Sequence, residues 1–226
     1  MSFENCYFLI PARKGSKGFP FKNRMLFEHA AKTIPEEYRK LLYVSTNDEF
    51  IKEKADSLNI KVVERPEEIA QDTTSMKAVM KHFVDSQHIG CNATIIMLYL
   101  TYPERTWADI QTIYNYYCTR AEKSLLCCED VIEHPYLAFY EKEHQKATLV
   151  VDHALYRRQD YPQCIRLSMF VACYKVDIID ELHDLMFEPN SVFYKLNHHK
   201  IDVDYRADLE TFQALLNEKD IINVKS

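Results

Sequence analysis

One stretch near the start of the chain decides the fold. Residues 6–23 read Cys-Tyr-Phe-Leu-Ile-Pro-Ala-Arg-Lys-Gly-Ser-Lys-Gly-Phe-Pro-Phe-Lys-Asn, an apolar run followed by a basic loop. A short apolar run that ends in a turn-prone loop predicts a buried strand of a parallel sheet. Glycines let the backbone approach a ligand closely, and N–H groups in such a loop can cradle phosphates. The stretch therefore predicts a strand followed by a phosphate-binding loop.

Glycine is scarce in the rest of the chain, which makes this loop informative. The chain has 226 residues and 3 glycines, where average usage would give roughly 16. Two of them, Gly15 and Gly18, lie in the basic loop. Turn formation alone does not require two glycines together, so a plain basic surface loop is the weaker interpretation. The GxxxxGK[ST] spacing of the ATPase P-loop is absent.

Strands and helices alternate from this stretch up to residue 128. Short apolar runs predict the strands, and apolar residues at helical spacing predict the helices. The alternation favours a mostly parallel, Rossmann-like sheet with helices on both faces and ligands beyond the carboxyl ends of the strands. The predicted strands are 6–11, 41–45, 60–63, 93–99 (the central one) and 123–128. The predicted helices are 47–58 with Asn47 or Thr46 as N-cap, 75–85 with Thr74 or Ser75 as N-cap, and 106–117.

The pattern changes after residue 128. Short runs at 136–140, 147–151 and 167–174, separated by charged turns, predict a small antiparallel excursion over residues 133–175 that serves as a lid or a dimer arm. No repeat or linker interrupts the chain, so residues 1–226 are expected to form a single domain. The remaining predicted elements are a helix at 177–186, a strand at 200–204 and a helix at about 209–218 capped by Asp208.

Charge, cysteine spacing and hydropathy limit the classes of function. The net charge of −6 disfavours a general nucleic-acid surface, although a few local cations can hold a small anion. The 7 cysteines lack paired ligand spacing, which favours buried free thiols over a zinc site or a disulfide framework. The first residues show no basic region followed by a long apolar stretch, and no run approaches about 20 apolar residues, so neither a leader nor a membrane span is expected. A cytoplasmic protein without a membrane or nucleic-acid partner is therefore expected.

Two acidic residues near the end of the chain suggest a metal site. Asp202 and Asp204 are two positions apart on a predicted strand, so their side chains would project from the same face. Two carboxylates can hold a hard dication that also binds phosphate oxygens. Two solvated aspartates on an edge strand remain the alternative. The adjacent pair His198 and His199 would point to opposite faces and is a weak metal signal.

Residues 10–23 resemble the signature of the acylneuraminate cytidylyltransferases, which activate sialic acids and related keto sugars as CMP conjugates. The usual form has Ile-Pro-Ala-Arg, then Gly-Gly-Ser-Lys-Gly, then Lys-Asn, and Lys14 replaces the first glycine. Six further segments are similar to family motifs in the same order, so the resemblance covers nearly the whole chain. They are residues 44–48 (Val-Ser-Thr-Asn-Asp), 65–75 (Arg-Pro to Thr-Ser), 101–110 (Thr to Ile), 133–136 (Glu-His-Pro-Tyr), 157–162 (Arg-Arg-Gln-Asp-Tyr-Pro) and 201–209 (Ile-Asp-Val-Asp to Asp-Leu).

The resemblance implies a nucleotidyltransferase fold, CTP and a small acidic acceptor as substrates, Mg²⁺ as cofactor and a homodimer. In the implied reaction a hydroxyl of the keto sugar attacks the α-phosphate of CTP, and pyrophosphate leaves. The implied catalytic residues are Arg13, Lys17 and Lys22, and the implied nucleotide-binding residues are Ala12, Arg13, Gly15, Ser16, Lys17, Asn23, Arg65 and Ser75. The implied acceptor-binding residues are Tyr102, Arg105 and Arg158, and the implied metal ligands are Asp202 and Asp204.

The chain departs from the family mainly around the acceptor. The family's Gln-Pro-Thr-Ser-Pro-Leu-Arg reads Tyr-Leu-Thr-Tyr-Pro-Glu-Arg at residues 99–105. Its Arg-x-Asn-Gly-Ala-x-Tyr reads Arg-Leu-Ser-Met-Phe-Val-Ala at residues 166–172. The longer helix that the family introduces with Gly-Lys-Pro is shortened, because only residues 24–43 are available for it.

These departures leave the acceptor open. We hypothesise that Tyr99, Tyr102 and Phe170 fill space that a bulky sugar would use. A nonulosonic acid, a deoxy-octulosonic acid and a phosphonate are the candidate acceptors. A non-catalytic homologue that binds CTP or CMP and regulates a partner is the alternative function.

Overall fold

A computed structural model describes residues 3–15 and 18–224, with side chains up to residue 215. The strands in this part of the chain are β1 (Cys6–Pro11), β2 (Leu42–Thr46), β3 (Lys61–Glu64), β4 (Thr94–Met97), β5 (Ser124–Asp130), β6 (Phe139–Glu141), β7 (Ala147–Leu149), β8 (Ile165–Lys175) and β9 (Val192–Lys195). The α-helices are α1 (Lys22–Lys32), α2 (Glu49–Ser57), α3 (Met76–Ser86), α4 (Trp107–Cys118) and α5 (Arg206–Val224).

Within the described residues, seven strands form one sheet in the order β3-β2-β1-β4-β8-β5-β9. Neighbouring strands are parallel, except that β8 runs antiparallel to both β4 and β5. The strand β4 is central and buried along its length, as predicted. The strands β6 and β7 form a separate antiparallel hairpin. The predicted α/β fold, with a mostly parallel sheet and a small antiparallel excursion, is confirmed.

The alternation of side chains along β1 explains why its sequence is apolar throughout. Phe8 and Ile10 pack into the layer that contains the helices α1, α2, α4 and α5. Leu9 points to the opposite face, where Met80 and Phe83 of α3 pack against it. Successive side chains of a strand face opposite sides of the sheet, so a strand that is covered on both sides needs an apolar residue at each position.

The run at 167–174 was wrongly assigned to the excursion. It lies in the 11-residue strand β8, which inserts into the main sheet between β4 and β5. This position pairs the backbone groups on both sides of β8 and buries its apolar stretch from Phe170 to Tyr174. The excursion proper is the connection from β5 to β8, which carries the hairpin β6–β7.

The predicted strand at 200–204 is absent from the described part of the chain, because side chains accept most of the backbone N–H groups there. Val203 donates its N–H to the carbonyl of Thr101 at 2.8 Å, which is one bond of the ladder type. Its neighbours do not continue the ladder: the N–H of Ile201 bonds to a Glu104 carboxylate oxygen at 2.8 Å. The N–H of Asp204 bonds to Asp208 at 2.9 Å. The segment is extended but irregular, with Val203 buried.

Other expectations differ in detail from the structure. The predicted helix at 177–186 is a short 3-10 turn, Val176–Glu181. Asp48 caps α2 by accepting the N–H of Phe50, whereas Asn47 or Thr46 was expected to be the cap. The carboxylate of Asp208 accepts N–H groups at the start of α5 from inside its first turn. The strand β9 was not predicted.

All seven cysteines have free thiols, but burial holds for only some of them. Cys6, Cys127, Cys128 and Cys173 are buried, whereas Cys91 and Cys118 are exposed and Cys164 is half-buried. None of the helices in residues 3–15 and 18–224 combines the length and the hydrophobicity needed to cross a membrane.

Candidate active site

Two clefts lie side by side at the carboxyl edge of the sheet. The basic cleft has a volume of about 240 Å³ and is lined by Pro11, Arg13, Gly15, Lys22, Asn23, Arg65, Met76, Tyr99, Leu100 and Thr101. The acidic cleft has a volume of about 360 Å³ and is lined by Arg166, His199, Ile201, Asp202, Asp204, Tyr205, Asp208 and Thr211. A larger cleft of about 470 Å³ at the opposite edge contains none of the predicted site residues, so size alone does not identify the site.

The loop after β1 is anchored to its neighbours on both sides. The N–H of Ala12 donates to the carbonyl of Ser45 at 2.9 Å, and the side-chain amide of Asn23 donates to the carbonyl of Arg13 at 2.9 Å. The N–H of Lys14 donates to Asn47 at 2.7 Å. These bonds carry the loop past the end of the strand and fix it at the wall of the basic cleft.

The two loop glycines are needed for different physical reasons. Gly15 has a φ of 78°, in the left-handed region that other residues rarely adopt. A Cβ atom on Gly18 would lie 3.3 Å from the carbonyl oxygen of Asp204, so this position requires close backbone approach. The predicted residues Ser16 and Lys17 lie between them and outside the described residues.

Arg65 contributes a buried positive charge to the basic cleft. Its side chain bonds to the hydroxyl of Ser45 at 3.1 Å and to the Ser45 carbonyl at 2.9 Å. Burial lowers the pKa of Arg65 to about 10, and the like charge of Arg13 acts in the same direction. Arg13 itself pairs with Asp72. Among the described residues no carboxylate is bonded to Arg65. The Arg65 guanidinium is therefore available to stabilise an anionic ligand in this cleft.

Lys22 connects the two clefts. It begins α1, is 7% exposed and lines the basic cleft. Its Nζ lies 3.0 Å from Oδ1 of Asp204, which lines the acidic cleft. A ligand that spans the two clefts would therefore pass this ion pair.

The side chain of Asp202 is fixed by a hydrogen bond from Tyr102. The Tyr102 hydroxyl donates to Oδ2 of Asp202 at 2.9 Å. Burial raises the pKa of Asp202, and the negative charge of Asp204 adds to the shift, whereas hydrogen bonds from Thr101 and Tyr102 and the charge of Lys22 oppose it. The two aspartates therefore form one local concentration of negative charge.

This pair of carboxylates fits a hard dication. Oxygen donors are the ligands that Mg²⁺ prefers, and Mg²⁺ in nucleotide sites takes one or two carboxylates plus substrate phosphates. In residues 3–15 and 18–224 no group of three or more His, Cys, Asp and Glu side chains is arranged to hold a metal. Asp202 and Asp204 would thus supply two ligands, and the remainder would have to come from the substrate and water.

Tyr102 and Arg105, which were predicted to bind the acceptor, contact an irregularity of β8. The pairing of β8 with β5 skips residues 169–171. The Tyr102 hydroxyl accepts the N–H of Met169 at 3.2 Å, and the buried Arg105 guanidinium donates to the carbonyl of Phe170 at 2.7 Å. These bonds satisfy backbone groups that the ladder leaves out. Neither side chain lines the acidic cleft.

The other residues predicted for the acceptor side lie apart from the acidic cleft. Arg158 is exposed in the connection between β7 and β8 and lines neither cleft. Tyr99 lines the basic cleft. Phe170 is buried and packs edge to face against Tyr102, with ring centroids 5.9 Å apart.

Ser75, which was predicted to bind the nucleotide or to cap a helix, caps α3 by accepting the N–H of Ala78 at 3.2 Å.

A charged group that was not predicted holds the far wall of the acidic cleft. Glu129, near the end of β5, is 2% exposed. Its carboxylate contacts Arg166 at 2.9 Å, Nδ1 of His199 at 2.5 Å and the N–H of Lys200 at 3.2 Å. Burial alone would raise the pKa of Glu129, but the hydrogen bonds outweigh it and the net shift is downward. A glutamate at the end of an apolar strand was the available signal for this group.

Comparison with known proteins adds an independent finding. The sequence model of a family described as cytidylyltransferase matches residues 7–221. The sequence is 29% identical over 162 residues to an N-acylneuraminate cytidylyltransferase of Streptococcus agalactiae, which covers 67% of this chain and 39% of that protein. The chain thus spans about two fifths of the length of that relative.

Other similar proteins match nearly the whole chain. The sequence is 24% identical over 224 residues to a protein named post-translational flagellin modification protein B of Campylobacter coli, covering 94% of this chain and 95% of that one. The fold is similar to a solved CMP:2-keto-3-deoxy-manno-octonic acid synthetase complexed with CTP, with a TM-score of 0.64 and 16% identity. That match covers 95% of this chain and 99% of the other, and at this identity it supports the fold alone.

Proposed function

The chain belongs to the cytidylyltransferase family, and on this premise we propose that it transfers CMP from CTP to a small acidic acceptor and releases pyrophosphate. The proposed acceptor is an acidic keto sugar of the sialic acid type. The observation that carries the proposal is the Lys22–Asp204 ion pair, which joins a basic cleft suited to a triphosphate to an acidic cleft suited to a dication.

The basic cleft is the proposed nucleotide site. Arg13, Lys22 and Arg65 bring three positive charges to it, and the glycine loop brings backbone N–H groups. We assign Arg13 and Lys17 to the β- and γ-phosphates. Lys22 is assigned to the α-phosphate, because its Nζ lies where the two clefts meet.

The aspartate pair is the proposed metal site. Asp202 and Asp204 would hold Mg²⁺, which when bound neutralises charge that develops on the α-phosphate and the leaving group. Lys22 already offsets the charge of Asp204 in this structure, at 3.0 Å. The same lysine would therefore lie beside both the metal ligands and the phosphate that is transferred.

The acidic cleft is the proposed acceptor site. Arg166 brings a guanidinium to a cleft that otherwise carries three aspartates. It is half exposed and anchored by Glu129, so part of its donor set faces the cleft. A guanidinium in this position favours an acceptor with a carboxylate or a phosphonate.

A pyrophosphate-release assay tests the proposal. The full chain is incubated with CTP, Mg²⁺ and in turn N-acetylneuraminate, a deoxy-octulosonate and a phosphonate. We expect turnover with at least one of these acidic acceptors, and little with a neutral sugar. CTP binding without turnover on any acceptor would contradict catalysis and favour the non-catalytic regulatory homologue.

A second copy of this chain is the proposed partner, through the excursion. Several large apolar side chains of residues 131–165 are exposed, led by Tyr156 at 95% and Ile132 at 71%. Large apolar side chains that remain exposed within one segment favour an interaction site there. Phe139 and Tyr140 on the hairpin are also exposed. The cytoplasmic location expected from the free thiols stays a prediction.

Light scattering coupled to gel filtration tests the dimer. We expect the wild-type chain to elute at twice its mass, and the double variant Phe139→Ser, Tyr156→Ser to elute as a monomer. Leu185→Ser, which removes an exposed apolar side chain outside the excursion, is the matched control and should remain dimeric. A double variant with unchanged mass would contradict this interface.

A further inference from the structure

The buried carboxylate of Glu129 pairs with the half-exposed imidazole of His199, and the motifs include neither residue. Glu129 lies at the end of β5 and is 2% exposed. Its Oε2 lies 2.5 Å from Nδ1 of His199. The Arg166 guanidinium approaches the same oxygen at 2.9 Å, and the Lys200 N–H holds the other oxygen. Two groups that can only donate, the Arg166 guanidinium and the Lys200 N–H, therefore fix the carboxylate.

The contacts of Glu129 determine which nitrogen of His199 carries a proton. The Arg166 and Lys200 donors stabilise the ionised form of this buried carboxyl, and the pKa of Glu129 is lowered. The ionised carboxylate only accepts hydrogen bonds, so Nδ1 at 2.5 Å from its Oε2 donates one. The Arg166 guanidinium also lies 3.1 Å from Nδ1, but its N–H is directed to the carboxylate at the shorter distance of 2.9 Å. In the neutral ring the second nitrogen, Nε2, then carries a lone pair.

Nε2 of His199 has no hydrogen-bond partner among the described residues, and its ring lies at the acidic cleft. The His199 side chain is 48% exposed. The ring lines the acidic cleft together with Asp202 and Asp204. His198, the preceding residue, instead bonds to the Lys200 ammonium at 2.8 Å and lines a different cleft.

We propose that His199 is the proton acceptor of the transfer reaction, with Glu129 as its positioning residue, an inference that rests on the function proposed above. The hydroxyl oxygen of the acceptor forms a bond to the α-phosphorus of CTP, and its proton passes to Nε2. The bond from the α-phosphorus to the bridging oxygen breaks, and its electron pair leaves on pyrophosphate. The Glu129 carboxylate stabilises the imidazolium, which then returns its proton to solvent.

A first experiment does not depend on the acceptor. Nitrogen-15 NMR of the full chain, at a pH where the ring is neutral, reports which imidazole nitrogen is protonated, and His199→Asn identifies the resonance by its loss. We expect Nδ1 to be protonated and Nε2 to be free. A proton on Nε2 would overturn the proposal, because that nitrogen could not accept another.

A second experiment uses variants that separate the base from the anchor. His199→Asn keeps an N–H donor near the position of Nδ1 but has no base, so kcat should fall about 10²–10⁴-fold while the Kd for CTP changes less than about twofold. His199→Ala should be inactive and partly rescued by free imidazole. His198→Asn is the matched control and should retain kcat.

The outcomes distinguish the two proposals. A wild-type chain that turns over an acceptor while His199→Asn is equally active would overturn the role of His199 and leave the proposed function intact. His199→Ala could lose kcat without rescue by imidazole while His199→Asn stays fully active. That result would also overturn the role of His199 as a base, because it would show that only the hydrogen bond to Glu129 matters. A wild-type chain inactive on every acceptor would count against the proposed function, and the NMR result would then decide the state of Nε2.

Discussion

The basic and acidic clefts are neighbours, but they are built in different ways. Residues on a few consecutive turns and strand ends form much of the basic cleft, and backbone bonds such as Ala12 to Ser45 hold it in place. The acidic cleft gathers side chains from β8, an irregular segment and α5 around the buried Glu129 of β5. A local loop motif can specify the first, whereas the second depends on long-range contacts.

This difference separates binding from chemistry. The basic cleft holds an uncompensated buried cation, Arg65, and is suited to attract an anionic ligand before any reaction. The acidic cleft holds crowded carboxylates, which favour a dication and an acceptor group. Changes in the two clefts should therefore alter different measured constants, and the predictions below test this separation.

The largest effect is expected at the junction of the clefts. Asp204→Asn removes one proposed metal ligand and the partner of Lys22, so kcat should fall by about 10²–10³-fold. The Kd for CTP without Mg²⁺, measured by calorimetry, should change less than about threefold, because the basic cleft is intact. Asp56→Asn, on the exposed face of α2, is the control. An equal loss of metal-free CTP binding would break the separation.

An intermediate effect is expected in the basic cleft. Arg65→Met keeps the volume of the side chain but removes a charge that contributes about 1.5–3 kcal/mol to a bond with an anion, so CTP should bind roughly 10–100-fold more weakly. In the ligand-free protein, burial of the Arg65 charge is destabilising, as its lowered pKa of about 10 indicates. The melting temperature without ligand should therefore stay level or rise. Arg120→Met, beside the cleft at the opposite edge, should change neither value.

The smallest effect is expected on the pH dependence of stability. The folded chain raises the pKa of Asp202, so it binds the proton more tightly than the unfolded chain, and stability falls as pH rises through the window between the two values. At pH 7 the charged form of Asp202 carries this cost, and Asp202→Asn should raise the metal-free melting temperature by no more than about 4 °C. The gain should vanish near about pH 3, where both states are protonated. A constant gain at all pH values would contradict this explanation.

The βαβ half of the fold was predictable because its signals are local. The apolar runs of β1, β2 and β4 and the Ser75 cap of α3 lie where the sequence indicates them. The strand β8 was misplaced because an apolar run does not say which neighbours it pairs with. The segment at 200–204 shows the alternation of a strand, but side chains such as Glu104 and Asp208 take most of its backbone N–H groups.

The candidate site was predictable to a similar extent. Arg13, Gly15, Lys22, Asn23 and Arg65 line one cleft, in agreement with their shared motifs, although their contacts with a nucleotide stay a prediction. On the acceptor side the sequence points to charged and aromatic residue types but not to their directions. Tyr102 and Arg105 face the backbone of β8 and Asp202, which no spacing rule indicates.

The sequence by itself determined the strand, the glycine loop and the residue types of a phosphate site, because φ angles, period-two burial and loop charge are properties of adjacent residues. Only the tertiary structure decided that Glu129, Arg166 and His199 meet at one cleft beside Asp202 and Asp204. These residues are brought together by the insertion of β8 and by the path of an irregular segment. Their proximity follows from long-range packing. A polar group that packing buries needs a hydrogen-bond partner, and here the partners come from distant parts of the sequence.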